Sequence, residues 1–138
     1  MDYQAFNESV IDDFRANAGK LSGDLAELPV VLVTMRGARS GREICKPLLH
    51  TRDGDDVVVI ASNGGAARHP AWYHNLVANP VVTVELGADR WRATAVLTEG
   101  DDRRRLFDQL ASTPQMSEYA DRVKDVRREI PIFRLVRS

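Results

Sequence analysis

Two stretches of this 138-residue chain gather residue types that suit ligand chemistry more than packing. The first is Arg36-Gly37-Ala38-Arg39-Ser40-Gly41-Arg42, which runs through Glu43-Ile44-Cys45 into Lys46-Pro47-Leu48. From Arg36 to Lys46 it holds four basic residues and one acid, in a chain whose 19 basic and 20 acidic residues leave a net charge of −1. Its two glycines let a backbone come close to a ligand, and Ser40 adds a hydroxyl donor, so the segment suits a phosphate-like anion. It is not a P-loop, since no Gly-Lys-Ser/Thr follows a four-residue spacer, and no GxGxxG occurs in the chain. A solvated basic hairpin turn accounts for these residues equally well.

The second stretch is Ala61-Ser62-Asn63-Gly64-Gly65-Ala66-Ala67-Arg68-His69-Pro70-Ala71-Trp72-Tyr73-His74-Asn75-Leu76. A strand runs into a glycine pair and then into a short helix opened by proline. Helix amides preceded by Ser62 and Asn63 suit an anion or a planar polar ring. Trp72 and Tyr73 supply flat surfaces and Asn75 an amide that both donates and accepts, although each aromatic taken singly is more often core than ligand contact. Two of the three histidines, His69 and His74, stand five apart, off a common helix face, and no carboxylate joins them in the motif; surface or capping roles are expected rather than a metal site. Cys45 has no partnered motif and reads as a buried apolar residue, not a catalytic thiol.

These stretches need a scaffold. Phe6, Val10, Ile11 and Phe14 recur at helical spacing, with Asn7 as the expected cap, and the helix should end before Asn17. Glu8, Asp12 and Asp13 would be repelled by anionic lipid, so this helix should pack on the body of the domain. Val30 to Met35 is a continuous β-branched run, expected for a strand covered on both faces. Glu43 to Thr51 and Asp56 to Ser62 predict a hairpin across Asp53-Gly54, and Val81 to Leu86 with Trp91 to Leu97 predict a second around Gly87 to Arg90. Pro70 to Leu76 is a short helix stopped by Asn79-Pro80. Thr98 should cap a helix beginning near Asp101. Ser117 to Glu129 is helical, and Ile130 to Val136 is a last strand that Pro131 marks as an edge. Consecutive hairpins make the sheet mainly antiparallel, and about six strands with few helices predict a small closed barrel.

Composition narrows the function classes. At 43% hydrophobic residues the chain can build a core without disulfides or metal, and its one cysteine excludes an intramolecular bridge. Near-neutral charge offers no global field for nucleic acid or membrane. No segment reaches the ~20 apolar residues of a spanning helix. The acidic N-terminus lacks the pattern of a signal peptide, so the expected compartment is the cytoplasm.

The strings GARSG then KPL, and ASNGGAARHPAWYHNLVANP with VTVEL close behind, resemble the deazaflavin-dependent nitroreductase family over about Phe14 to Ile132. The resemblance implies an α+β fold, a mainly antiparallel split β-barrel of the FMN-binding, pyridoxamine-phosphate-oxidase-like kind with flanking helices, formed by residues 1–138 as a single domain. It implies reduced coenzyme F420 as cofactor and hydride transfer to an electron-poor organic acceptor: a quinone, an enone or a nitroaromatic. Ala38, Arg39 and Ser40, with Lys46, Pro47 and Leu48, match contacts to the cofactor's phosphate tail and ring edge. Ala61, Ser62 and Asn63 match the strand end beside the ring, and Ala71, Trp72, Tyr73, His74 and Asn75 the segment closing over phosphate and tail. Ser62 and Tyr119 are the catalytic candidates, the first bonding the ring, the second lining the acceptor pocket. Ile44 stands where many members carry Arg, Asn63 where some carry Lys, and Met116 where one branch carries Tyr. The alternatives are an FMN-dependent enzyme of the same fold and a non-catalytic deazaflavin carrier. The apolar hairpin faces would also suit a homodimer.

Overall fold

The computed structural model describes residues 3–26, 28–61, 69–112 and 130–138. Among them, helix α1 (Tyr3–Ala16) precedes strands β1 (Val30–Arg36), β2 (Glu43–Asp53) and β3 (Asp56–Ile60). Helix α2 (Ala71–Ala78), strands β4 (Val81–Leu86) and β5 (Asp89–Leu97), helix α3 (Gly100–Ser112) and strand β6 (Ile132–Arg137) follow. The strands close into an antiparallel barrel in the order β1-β2-β3-β6-β5-β4. Both hairpins turn through two residues, and each has glycine first, Gly54 and Gly87, at φ 61°. The second turn is therefore tighter than the four residues expected from the sequence.

Side-chain alternation divides the core in three. Val31, Val33 and Met35 of β1 face the barrel interior with Val57, Val59, Val82, Val84, Phe133 and Leu135, and Leu76 of α2 plugs one end. Leu32 points the other way, under Val10 and Phe14 of α1. Val58 and Ile60 of β3 likewise lie outside the barrel, beneath Leu106 of α3. Strands buried on both faces explain why β1 and β3 read as unbroken apolar runs.

α1 is fastened to the barrel by polar contacts as well. Arg15 forks onto Glu85 of β4, Nε to Oε1 at 3.1 Å and Nη2 to Oε2 at 2.8 Å. Asp13 accepts from the N–H and hydroxyl of Ser22, folding the linker back on the helix. A Cβ on Gly19 would stand 2.5 Å from the Cα of Gly87, so only glycine lets this linker cross the β4–β5 turn.

Three expectations are corrected here. The helix begins at Tyr3, a turn before the first periodic apolar residue, so Asn7 lies inside it and caps nothing; Phe6 is 45% exposed. Thr98 does not cap α3: its N–H and Oγ1–H both donate to the Ile132 carbonyl, at 2.9 and 2.8 Å, joining the end of β5 to β6. Pro131 does not mark an edge, because β6 lies between β3 and β5. It precedes the strand, and its carbonyl accepts the Ala61 N–H at 2.8 Å.

Candidate functional site

The turn between β1 and β2 closes on itself. Gly37 N–H donates to the Arg42 carbonyl at 2.8 Å, Gly41 N–H to the Gly37 carbonyl at 3.0 Å, and Arg42 N–H to Ser40 Oγ at 3.2 Å. Gly41 has φ 70°, which favours glycine, and a Cβ on Gly37 would sit 2.5 Å from Ser40 Oγ and displace the hydroxyl that caps the turn. Arg36 braces it from below, donating Nη1–H to the Gly41 carbonyl at 2.9 Å.

Helix α2 holds this turn from the side. Ala38 N–H donates to Asn75 Oδ1 at 2.9 Å, across 37 residues of sequence. Asn79, at the C-cap of α2, reaches the carbonyls of Arg36 and Gly37 with Nδ2 at 3.4 and 3.5 Å. Between turn and helix lies a groove of about 590 Å³ lined by Gly37, Ala38, Arg39, Ser40, Ile44, Ala71, His74 and Asn75. Two segments separated by thirty residues in the sequence analysis thus meet in one concavity. Ile44 comes from the half of β2 that pairs with β1; pairing of β2 with β3 begins only at His50. Pro47 occupies this half too, where a missing N–H interrupts least.

The groove's donors suit an anion. Among the described residues, Arg39 makes no ion pair and its N–H and that of Ser40 have no acceptor, while the Ser40 hydroxyl is free to donate. A guanidinium, a hydroxyl and successive backbone N–H groups on a glycine-flanked turn form a phosphate-binding set.

Other expected site residues lie elsewhere. Lys46 lines a neighbouring hollow of about 470 Å³ with Glu8, Ile11, Glu43 and Cys45, and only Ile44 is common to both concavities. Leu48 packs against the barrel core, Pro47 lies opposite Leu32, and Ala61 is buried at the end of β3. Trp72 and Tyr73 do not line the groove. Their rings lie 6.2 and 5.8 Å from that of Phe133, over the end of the barrel, and Tyr73 stacks at 4.2 Å on His69. His50 caps backbone, its Nδ1–H donating to the Pro29 carbonyl at 2.7 Å, and burial holds its pKa below the ordinary histidine value. Ser62, Asn63, Met116, Tyr119 and the expected helix Ser117 to Glu129 fall outside the described residues. Asn79 belongs to this site as well, holding the turn from the end of α2. The signal was present in Asn79-Pro80, whose asparagine was taken only as a helix stop.

Comparison with known proteins bears on the family and the fold. The family model for F420H(2)-dependent quinone reductase matches residues 8–137. The chain is 35% identical over 111 residues to F420H(2)-dependent quinone reductase Rv1261c of Mycobacterium tuberculosis (strain H37Rv), covering 79% of this chain and 74% of that protein. An F420-H2 dependent reductase, FDR-A, superposes with a TM-score of 0.70 at 33% identity, over 78% of this chain and 93% of the other. A structure described as a domain-swapped dimer gives 0.72 at 29% identity over 97% of each chain. A structure from Listeria innocua described as a pyridoxamine 5′-phosphate oxidase shares the fold alone, at 14% identity and a TM-score of 0.55 over 83% of this chain and 87% of that one.

Proposed function

Because the chain belongs to the F420H(2)-dependent quinone reductase family, we propose that the groove between the Gly37–Gly41 turn and α2 holds the phosphate end of coenzyme F420. The protein is an oxidoreductase that transfers a hydride from reduced F420 to a quinone. The bound deazaflavin supplies the redox chemistry, and the chain supplies binding, orientation and exclusion of water. Arg39 and Ser40 meet the phosphate, while Asn75 keeps turn and helix at the separation the phosphate needs. Ser62 and Asn63 lie beside the ring and Tyr119 delivers a proton to the reduced acceptor. Residues 1–138 act as one domain. The observation that carries this assignment is the Ala38–Asn75 hydrogen bond, which makes two distant segments into one groove with its anion donors unspent.

A homodimer belongs to the same proposal, supported by the likeness to a domain-swapped dimer. So does cytoplasmic residence; among the described residues no helix is long and apolar enough to cross a membrane.

Titration of the purified protein with F420 and with FMN, followed by mixing with reduced F420 and menadione, tests the assignment. Tighter binding of F420 and oxidation above background are expected. Preference for FMN would make this an FMN enzyme, and binding without oxidation would make it a carrier. Tyr119→Phe should lower kcat by about 100-fold or more, as loss of a positioned acid does, with F420 affinity unchanged; equal loss of both would remove the role given to Tyr119.

A further inference from the structure

At the end of the barrel away from α2, where the β2–β3 and β4–β5 turns meet the last residues of β6, lies a hollow of about 580 Å³. Its lining includes Arg52, Asp55, Leu86, Asp89, Trp91 and Arg137. Strand register aims these side chains at the barrel mouth. Arg52 stands opposite Val57 and Arg137 opposite Ala93, two fully buried residues of the barrel interior. Paired residues point to one face of a sheet, so both arginines continue the interior rows out to the mouth. Asp89 likewise stands opposite Leu86, which packs with Trp91 on the core. The groove between the Gly37–Gly41 turn and α2 is at the other end.

The hollow holds charges of both signs that do not meet. Among the described residues Arg52, Asp55, Asp89 and Arg137 make no ion pair, whereas Asp53 and Asp56 of the same hairpin are taken by Arg105 and Arg134. Arg52 gives one N–H to the Asp55 carbonyl at 3.4 Å and keeps the rest of its fork. Opposite charges that share a hollow without pairing are complementary to a ligand that carries both signs. A flat surface stands beside them. Arg137 Cζ lies over the Trp91 ring, 5.0 Å from its centroid, and because Arg137 is exposed, a further ring can stack on the outer side of the guanidinium. Barrel mouths are favoured places for small ligands, and this volume is large enough to hold one.

We propose that this hollow binds an aromatic zwitterion of the α-amino-acid class, its carboxylate on Arg52, its ammonium on Asp89 and its ring on the Arg137–Trp91 stack. The site is separate from the groove and does not depend on how the cofactor is held.

The test is titration of the full chain with L-phenylalanine, phenethylamine and phenylpropanoate, followed by NMR at the indole N–H of Trp91. The chain has two tryptophans, so Trp91→Phe identifies the resonance. All three ligands keep the ring, and the last two each lack one charge. L-Phenylalanine should give a saturable shift and bind most tightly. Arg52→Ala should weaken L-phenylalanine and phenylpropanoate by roughly two- to fivefold, the weight of one exposed ion pair, and leave phenethylamine unchanged. Asp89→Asn should do the converse, weakening L-phenylalanine and phenethylamine alone. Arg39→Ala, at the groove, should move none of the three. Equal affinity for the three ligands, no shift at Trp91, or loss of all three ligands in both Arg52→Ala and Asp89→Asn would overturn the site.

Discussion

Two amide side chains tie the Gly37–Gly41 turn to α2, and Asn75 makes the shorter bond. Asn75 offers Oδ1 to the Ala38 N–H, and no backbone ladder joins the Gly37–Gly41 turn to α2. Asn75→Ala removes that acceptor and should cost about 1 kcal/mol of stability, the net worth of one hydrogen bond, and about fivefold in F420 affinity as the turn loosens. Asn75→Asp separates the two effects. A carboxylate accepts the same N–H, so urea unfolding should return close to wild type, but it sets a negative charge beside the proposed phosphate site, so titration with F420 should show binding still impaired. Recovery of both would mean that Asn75 only shapes the turn and that no anion sits nearby. Residue type alone pointed to Arg39, Ser40 and Asn75, and the fold brings all three to the groove. The site was illegible where position decides: four basic residues looked equivalent, yet Arg36 braces the turn, Arg39 lines the groove and Lys46 faces another hollow. Charge in a sequence gives no direction, and strand alternation with turn geometry supplies it.

Elements are joined at the opposite end of the barrel by a charged network. Arg105 of α3 donates to both carboxylate oxygens of Asp53 at 3.1 and 2.9 Å, and Arg134 of β6 donates to Asp53, Asp56 and Asp102. The hydrogen bonds from Arg105 first, and then from Arg134, hold the Asp53 carboxyl far below the ordinary carboxylate range. Since the folded state then binds fewer protons than the unfolded one, the stability this gives is complete above the ordinary carboxylate pKa of about 4 and is lost as pH falls toward the depressed value. Asp53→Asn should therefore cost about 1 to 2 kcal/mol near neutral pH and flatten the acid limb of a stability profile measured by urea unfolding from pH 7 to pH 3. A parallel, undiminished acid limb would place the acid sensitivity elsewhere. The same scale shows how far periodicity reaches. It located α1, both hairpins, α2 and α3, because burial imposes a repeat on the residues that face the core. It misjudged the start of α1, since apolar spacing marks the turns that face the core, and Phe6, the first periodic apolar residue, stands a turn inside Tyr3–Ala16. Thr98 suited a cap by type, but its hydroxyl is spent on β6, a partner 34 residues away that no local window contains.

At the scale of the whole molecule, the last strand controls the site without touching the groove. Closing the barrel sets β6 between β3 and β5, which explains both why six antiparallel strands could be anticipated and why Pro131 was misread: hairpins give neighbours in sequence, while the β3–β6 and β5–β6 seams join distant segments. Phe133 stands in both seams, opposite Val59 and Leu97, and is only 2% exposed. Its ring carries Trp72 and Tyr73, and through them the helix whose other face offers Ala71, His74 and Asn75 to the groove. Phe133→Ala should cost about 3 to 5 kcal/mol, as a buried aromatic truncation does, and Phe133→Leu should cost less. The distinguishing expectation concerns binding: with α2 no longer seated, F420 affinity measured well below the unfolding transition should fall together with stability, even though no cofactor donor has been altered. If urea unfolding shows the full loss while the titration is unmoved, α2 is positioned by its bonds to the turn, Asn75 to Ala38 and Asn79 to Gly37, and the barrel core serves only to hold the strands together.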